Sequence, residues 1–394
     1  MDLFEHWAEV VGKDLAAHTT PVTLQDGVLV VTGESADWTV QVHFLRARLQ
    51  AQINEKFGEG TVTELQIPGL TDALNDFSRR QREDRDQLES TTVASGAKQG
   101  RHTVTTLEEM LQPAIDHFDD IATAGTDTTK IPTGFTQLDD LTNGGLTPGS
   151  LTVVGGYPGA GTSTLALDLI RSATIRHRIP AAYLTLDSTI EQITHRLLSA
   201  ETKVQHRNML SGRMNDPDWT RMSRCMTDIA ERPFFLARPD DRDITAVSDQ
   251  ITELADEHGT KLIVIDPLHM LTARRDLPYE NREREISEIA RRLKALALDT
   301  NTAIVTPAYL TNNPGPRLPI PPSPSLSDLR DSGTIAHVAD LVILVDRPDL
   351  WEKNHPRAGE VDLIVAKHRH SAAAVVITVA GQWHMCRLVE IQQK

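Results

Sequence analysis

A glycine-rich loop between an apolar strand and a helix constrains this chain more than any other feature of its sequence. The segment reads SLTVVGGYPGAGTSTLALDLI, and Gly156, Gly159 and Gly161 lie in the loop. The backbone amides of such a loop bind phosphate groups together with the N-terminus of the helix that follows. The sequence therefore predicts a phosphate-binding loop in an α/β protein, with these three glycines as nucleotide-binding residues.

The side chains that follow the loop depart from a working phosphate loop at one position. Such a loop uses a lysine to reach the β- and γ-phosphates and a serine or threonine hydroxyl to hold Mg²⁺. Here Thr162 occupies the lysine position, followed by the candidate metal ligand Ser163 and by Thr164, and we expect all three to be nucleotide-binding residues. A unit charge at about 4 Å in a partly screened site contributes roughly 4 kcal/mol. We therefore expect ATP and Mg²⁺ to bind weakly, through the backbone and the metal.

Two carboxylates follow buried strands. Asp266 ends the strand KLIVIDPL, and Asp187 ends AAYLTLD. In phosphate-loop proteins a carboxylate at the first position orients the water shell of Mg²⁺, and such ATPases often have at the second position the carboxylate that polarises the attacking water. We therefore expect Asp266 to be a metal residue and Asp187 to be a catalytic residue.

From residue 131 to residue 394 the chain alternates apolar strands with helical stretches, which is typical of a parallel sheet with crossover helices. The strands run apolar almost without alternation, as strands buried on both faces do. The predicted strands are SLTVVGG, AAYLTLD, KLIVIDPL, TAIVTPA, DLVILVD and VDLIVAKH.

The rest of the chain divides into three predicted segments. Residues 1–69 read as a small α/β domain of helix, two strands, helix and strand, with a hairpin at Asp26-Gly27. Residues 70–104 are dense in opposite charges and poor in apolar residues, so we expect a flexible linker. Residues 105–124 resume helical periodicity as an amphipathic helix. This helix packs either on its own domain or on a neighbouring subunit.

Composition narrows the functional classes. No apolar run reaches the about 18 residues that a membrane-spanning helix needs, and the first residues lack the pattern of a signal peptide. Two cysteines favour a reduced, cytoplasmic setting. A net charge of −15 argues against a protein that coats nucleic acid through a global positive field. The same net charge is compatible with a protein that holds DNA in a local basic channel within an assembly.

Residues 131–394 resemble the C-terminal, RecA-like domain of DnaB-type replicative helicases, which are hexameric rings that move 5′ to 3′ on single-stranded DNA. Besides the phosphate loop, the matching stretches are IPTGFTQLDDLTNGGLTPGSL, RLLSAETK, LSGRMNDPDWTRMSRCM, KLIVIDPLHML, NREREISEIARRLKALALDTN, LSDLRDSGTIAHVADLVILVDRPD and LIVAKHRH. Residues 105–124 look like the family's linker helix, which packs on the adjacent subunit.

The resemblance implies a set of site residues and several departures from it. Ser163 and Asp266 match the Mg²⁺ positions, and Lys367 and Arg369 in AKHRH match the pair that reaches the nucleotide of the neighbouring subunit. Thr162 replaces the phosphate-loop lysine, and Asp187 replaces the catalytic glutamate. A carboxylate displaced by about 1 Å can cost on the order of 100-fold in rate. In the family a glutamine reports the nucleotide state. Its position falls near Tyr309 in this sequence, so the resemblance implies that this sensor residue is missing.

The resemblance also indicates which loops face DNA. The loop TNNPGPRLPIPPSPSLSD carries Arg317 as its single basic residue, whereas contacts with DNA phosphates use several lysines and arginines. The earlier loop LTARRDLPYENRER retains Arg274 and Arg275 and is the better candidate for contact with single-stranded DNA. A solvated charged loop is the alternative interpretation.

Residues 1–69 resemble a different family, the DciA-type helicase operator domain, which implies a KH-like α/β fold. The stretches LFEHWAEVVGKDLAAHTTPVTLQDGVLVV and SADWTVQVHFLRARLQAQIN carry this resemblance. We expect a face with Trp7 and Trp38 to contact a replicative helicase. Core packing is the alternative role of both tryptophans.

Two hypotheses follow from these features. In the first, the chain is a DnaB-like helicase subunit that binds ATP, Mg²⁺ and single-stranded DNA in a homo-hexameric ring and hydrolyses ATP slowly. In the second, it is a non-catalytic paralogue that pairs with a replicative helicase, in a mixed ring or as a regulator, or with other replication proteins. A third interpretation, a RecA-fold ATPase of the RadA or KaiC kind, fails to explain RMNDPDWTR and SDLRDSG.

Overall fold

The computed structural model describes residues 3–4, 6–68, 105–273, 279–311, 323–330, 332–352, 354–370 and 373–391. The chain forms two compact units, Met1–Asp120 and Ile121–Lys394. Each unit is described by itself.

The first unit begins with a small α/β fold. Its elements are α1 (Trp7–Val11), α2 (Lys13–His18), β1 (Thr19–Gln25), β2 (Val28–Gly33), α3 (Ala36–Phe57) and β3 (Glu64–Gln66). The strands form a sheet in the order β1-β2-β3, with β1 antiparallel to β2 and β3 parallel to it. The order of elements is the predicted one, except that the first helix is divided in two. Gly12, with φ of +88°, separates α1 from α2 because this backbone conformation is not helical.

The hairpin turn and the helix N-cap of this fold occur at the residues that the sequence predicts. Asp26 and Gly27 both have positive φ, as a tight hairpin turn between twisted strands requires. Ser35 caps α3, accepting a hydrogen bond from the amide of Trp38 at 3.5 Å.

A further helix, α4 (Leu107–Ala124), contains no buried residue and exposes a stripe of apolar side chains. The predicted linker, residues 70–104, lies outside the described residues.

One of the two predicted contact tryptophans belongs to the core. Trp7 is 5% exposed, and its indole Nε1 donates to the carbonyl and hydroxyl oxygens of Thr19, both at 3.2 Å. The expectation that Trp7 contacts a partner is therefore wrong, because its ring and its N–H group are both used within the domain. Trp38 is half-buried and stacks on His18 with ring centroids 4.2 Å apart.

The second unit is a larger α/β fold with nine strands and eight α-helices among its described residues. Its strands are β4 (Leu151–Gly156), β5 (Ala181–Thr185), β6 (Phe234–Ala237), β7 (Leu262–Asp266), β8 (Ala303–Tyr309), β9 (Leu341–Asp346), β10 (Glu360–His368), β11 (Val375–Gln382) and β12 (Arg387–Glu390). Its helices are α5 (Thr136–Leu141), α6 (Thr162–Arg171), α7 (Ile190–Thr202), α8 (His206–Leu210), α9 (Asp216–Ile229), α10 (Ile244–His258), α11 (Arg282–Thr300) and α12 (Ser332–Val338). A π-helical turn, Ser172–Arg176, extends α6.

The nine strands form one sheet in the order β12-β11-β10-β9-β4-β8-β7-β5-β6. The six strands from β9 to β6 in this order are parallel, and β10, β11 and β12 extend the sheet as antiparallel strands. The strands DLVILVD and VDLIVAKH are both present as predicted, but the second runs antiparallel to the first. Two buried apolar clusters cover the two faces of the central strands, which explains why these strands are apolar throughout.

The strand directions decide where functional residues can meet. Because β4, β5, β7, β8 and β9 are parallel, the residues that follow them lie along one edge of the sheet. Strand β10 runs the other way, so its last residue, His368, pairs with Leu341 at the beginning of β9. Residues after β10 therefore lie at the opposite edge. No helix in the part of the chain that the structure describes is long and apolar enough to cross a membrane.

Candidate nucleotide site

The glycine loop connects β4 to α6 at the carboxyl edge of the sheet. Gly159 and Gly161 have φ of +85° and +107°, a region that favours glycine. The N-cap of α6 is Gly161, and Thr162 is the first helical residue. The N-terminus of α6 therefore faces the loop with free amide groups and the positive end of the helix dipole. This is the arrangement that binds phosphate.

Asp266 lies beside this helix terminus and is almost fully buried. The hydroxyl of Tyr183 donates to its Oδ2 at 2.5 Å, whereas Oδ1 has no hydrogen-bond partner of ordinary geometry among the described residues. Burial raises the pKa of Asp266, and the hydroxyls of Tyr183 and Ser163 lower it. The structure thus brings together the two predicted metal residues, Ser163 and Asp266.

The other carboxylate lies at the same edge of the sheet. Asp187 is exposed, two residues beyond the end of β5, and Ser188 Oγ donates to its Oδ1 at 2.9 Å. Its charge acts on Asp266 and on Tyr309, because it helps to raise the pKa of both side chains, for which burial is the larger cause. Tyr309, at the end of β8, stacks on His269 with ring centroids 5.0 Å apart. Asp187 and Tyr309 therefore lie at the same edge of the sheet as Asp266, close enough for charge to couple them.

Two residues that the sequence did not single out lie against the loop. Arg347 Nη1 donates to the carbonyl oxygen of Gly159 at 3.1 Å, and its guanidinium carbon lies 4.3 Å from the centre of the Trp383 ring. A Cβ atom on Gly161 would lie 2.8 Å from carbons of that ring. Asp349 holds Arg347 through Nε at 2.5 Å. One signal was present in the sequence, because Arg347 directly follows the predicted strand DLVILVD.

Lys367 and Arg369 lie at the opposite edge of the sheet from the loop. Lys367 is the penultimate residue of β10, and Arg369 follows that strand. A six-residue parallel strand such as β4 spans about 20 Å, so neither side chain reaches the phosphate loop of its own chain. The structure therefore separates these two residues from the rest of the predicted site.

The ammonium group of Lys367 is engaged in three hydrogen bonds at the end of α12. It donates to the carbonyl oxygens of Ala336, His337 and Ala339 at 2.7, 2.9 and 2.6 Å. Burial and the neighbouring Arg369 lower its pKa. These carbonyls are the ones that a helix C-terminus leaves without partners, so Lys367 caps α12.

Arg369 is held by Asp340, which follows α12. Its Nε lies 3.0 Å from Asp340 Oδ1, while Asp340 Oδ2 pairs with Lys294 Nζ at 2.8 Å and accepts from the amide of Leu151 at 2.8 Å. The Arg369 side chain is 44% exposed. Arg369 therefore presents a positioned and accessible cation at the amino edge of the sheet.

The predicted DNA-contact residues cannot be placed in this fold. Arg274 and Arg275 follow the short turn after β7, and Arg317 belongs to the segment after β8. All three lie outside the described residues. Their assignment to DNA contact stays a prediction.

The residues around Asp266 fit a hydrated magnesium ion. Hard divalent cations prefer oxygen ligands, and Mg²⁺ keeps several waters that neighbouring carboxylates orient. The buried Oδ1 of Asp266, which has no hydrogen-bond partner of ordinary geometry in the described parts of the chain, and the hydroxyl of Ser163 supply such oxygens. When bound between a nucleotide and these residues, Mg²⁺ would neutralise phosphate charge.

Comparison with known families gives two matches. Residues 130–385 match the DnaB-like helicase C terminal domain. Residues 1–67 match the family described as Dna[CI] antecedent, DciA. Both agree with the resemblances that the sequence motifs indicate.

Individual relatives carry the name replicative DNA helicase DnaB. The protein from Leifsonia xyli is 37% identical over 270 residues, which cover 68% of this chain and 58% of that protein. The protein from Mycobacterium leprae is 39% identical over 229 residues, which cover 58% of this chain and 37% of that protein. This chain thus spans about half the length, or less, of these relatives.

Solved structures support the fold. A chain described as an ATPase domain superposes with a TM-score of 0.66 at 20% identity, covering 73% of this chain and all of that one. A DnaB-like replicative helicase, solved in a study of its interactions with primase, gives a TM-score of 0.62 at 18% identity and covers 90% of this chain and 87% of that chain. Since the family match extends over residues 130–385, more than half of the sequence, this chain belongs to the DnaB-like helicase family.

Proposed function

We propose that this chain is a subunit of a DnaB-like helicase ring that binds ATP with Mg²⁺ between adjacent subunits, contacts single-stranded DNA and hydrolyses ATP slowly. The observation that carries the proposal is the division of the site between the two edges of the sheet. Ser163, Asp266 and Asp187 line the loop edge, and Arg369 lies exposed at the other edge. A complete site then needs two copies of the chain.

The roles of the loop-edge residues follow from their contacts. The amides of the loop and of the α6 terminus would bind the phosphates, and Ser163 with Asp266 would hold the hydrated metal. Asp187, which is exposed two residues beyond β5, would orient the attacking water. Arg347 and Trp383 offer a flat cationic and aromatic surface beside Gly161, against which the nucleotide base can stack.

Slow hydrolysis is the expected consequence of Thr162 and of the short Asp187 side chain. Charge that develops on the transferred phosphoryl group would be neutralised by the metal and by Arg369 of a neighbouring copy, without a lysine in the loop. Of the AKHRH pair, Arg369 has the freer side chain, because Lys367 is engaged at the end of α12. We therefore assign the role in the neighbouring site to Arg369.

A mixing experiment tests the shared site. Asp266→Asn disables the loop edge, and Arg369→Ala disables the other edge. Each variant alone should lose ATPase activity. A mixture of the two should regain part of it, because some interfaces then combine an intact loop with an intact Arg369. A chain that carries both substitutions is the control. No recovery on mixing, from variants that still assemble with the wild-type chain, would contradict the shared site.

The second candidate function is that of a non-catalytic partner of a replicative helicase. The observation that favours it is the coincidence of Thr162, Asp187 and Tyr309 with a DciA-like module in the same chain. The ATPase rate of the purified chain separates the two candidates. A rate that is measurable, even if far below the about 1–100 s⁻¹ of phosphoryl-transfer enzymes, supports the first. Binding to a replicative helicase without any turnover supports the second.

A further inference from the structure

We infer that Tyr183 is a positioning residue for the metal site: its hydroxyl fixes the carboxylate of Asp266 so that Oδ1 faces Ser163 and the water shell of Mg²⁺. The inference rests on the proposed function, since it concerns the metal that would accompany the nucleotide. It assigns a role to a side chain that is buried in the core and therefore does not itself contact a nucleotide.

The sheet register places the two side chains on one face. Strands β5 and β7 are neighbours, with Tyr183 opposite Val264 and Thr185 opposite Asp266. Because side chains alternate along a strand, Tyr183 and Asp266 point to the same side of the sheet, the side that α6 covers. The Tyr183 ring is 1% exposed within that core, so it has no room for another orientation.

The hydroxyl of Tyr183 is not needed for packing. A phenylalanine ring would fill the same apolar space, and a buried hydroxyl is unfavourable unless it is hydrogen-bonded. The partner of this hydroxyl is Asp266 Oδ2, at 2.5 Å. The second oxygen, Oδ1, is buried and lacks a hydrogen bond of ordinary geometry within the described part of the chain. Tyr183 thus holds one carboxylate oxygen of Asp266, and the other remains available to the water shell of a metal ion.

The hydrogen bond from Tyr183 matters because the terminal torsion of an aspartate has a broad distribution, so the carboxylate alone has no fixed rotation. A hydrogen bond on one oxygen selects the rotation at which the other faces Ser163. Groups that orient metal-binding side chains in this way typically change metal affinity by about 10- to 100-fold when removed. Thr162 increases the dependence on the metal, because no lysine shares the charge of the phosphates.

The test is Tyr183→Phe in the full-length chain, with Mn²⁺ as a spectroscopic probe for Mg²⁺. We expect the affinity for Mn²⁺ in the presence of ADP to fall about tenfold or more. The affinity for ADP in excess EDTA should stay within about twofold of the wild-type value, because the loop amides are unchanged. The readout is binding and needs no ATP turnover.

Thr306→Val is the matched control. Thr306 Oγ1 donates to the carbonyl oxygen of Ile265 at 2.7 Å, so the variant removes a buried hydroxyl next to Asp266 without touching its carboxylate. An equal loss of Mn²⁺ affinity in Thr306→Val, or unchanged or tighter binding in Tyr183→Phe, would overturn the role of Tyr183. If the wild-type chain itself binds no Mn²⁺ with ADP, the proposed function fails, and the inference that rests on it fails for that reason.

Discussion

Thr162 is the single residue that most affects the chemistry expected at the phosphate loop. It is the first residue of α6, and its methyl group packs against Gly156 in the loop. We expect Thr162→Lys to tighten Mg²⁺–ATP binding by about tenfold or more. Half of a charge interaction of roughly 4 kcal/mol is larger than the about 1.4 kcal/mol that corresponds to a tenfold change in affinity. Equilibrium binding of a fluorescent ATP analogue measures it.

The matched control for this substitution is Thr220→Lys, which adds the same charge at an exposed position of α9. It should leave ATP affinity unchanged. Thr162→Lys should not restore the full hydrolysis rate, because Asp187 remains one methylene shorter than a glutamate. Equal or weaker ATP binding in Thr162→Lys would contradict the assignment of Thr162 to the lysine position.

The two tryptophans of the DciA-like module differ in what their removal should do. Trp7→Ala deletes a buried ring and two hydrogen bonds, and such losses cost about 3–5 kcal/mol. We expect it to raise hydrogen exchange throughout α1 and α3 of the full-length chain. Trp38→Ala should alter exchange little, because its ring is only half-buried, and should weaken capture of a replicative helicase. Equal destabilisation by both variants would place Trp38 in the core.

At the scale of elements, α12 is tied to β10 through Lys367. Hydrogen bonds to charged groups contribute about 1.5–3 kcal/mol each to stability. We therefore expect Lys367→Met to increase amide exchange in residues 332–340 and to lower the melting temperature. Lys261→Met, the same substitution at an exposed lysine before β7, is the control and should leave both quantities near the wild-type values. The same exchange in both variants would mean that Lys367 does not cap α12.

A buried carboxylate on α6 should make stability depend on pH. Asp168 pairs with Arg171 and accepts from the amide of Leu388 at 2.7 Å. Burial raises its pKa from 3.8 to about 7, although Arg171 and the Leu388 amide lower it. The folded state thus binds this proton more tightly than the unfolded state. The corresponding stability is fully present below pH 3.8 and is lost as the pH rises toward about 7.

Asp168→Asn should remove this contribution, because the amide does not titrate. The free energy of unfolding of the wild-type chain, measured by urea denaturation, should decrease from about pH 4 to about pH 7 relative to that of the variant. Comparing slopes rather than absolute values cancels the constant loss of the pair with Arg171. Parallel pH profiles for the two proteins would show that Asp168 keeps an ordinary pKa.

At the scale of the whole molecule, the exposed apolar stripe of α4 is the candidate surface for the proposed assembly between copies. Leu107, Leu111 and Phe118 are 78%, 47% and 65% exposed. We expect Leu111→Asp with Phe118→Asp to shift the chain from rings to monomers in light scattering, because the stripe then loses its apolar surface. Glu109→Gln on the same helix is the control and should assemble normally. A doubly substituted chain that still forms rings would exclude α4 from the interface.

Sequence alone determined the features that depend on neighbours along the chain. The glycine loop, its connection of β4 to α6, the Asp26-Gly27 turn and the Ser35 cap are each set within a few residues, where backbone conformation and side-chain type are directly linked. The apolar strands were equally predictable, since strands buried on both faces cannot alternate with polar residues. The family resemblance, now supported by the match over residues 130–385, used these same local segments.

Tertiary structure alone decided which distant residues share a site. Tyr183 meets Asp266 because β5 lies beside β7, and Arg347 and Trp383 reach the loop from the strands on the other side of β4. No spacing along the chain encodes these contacts, because strand order depends on how the crossover helices pack on both faces. The reversed direction of β10 likewise placed Lys367 and Arg369 at the far edge of the sheet. The burial of Trp7 also depended on tertiary structure, because the periodicity of a helix shows which residues share a face but not what covers that face.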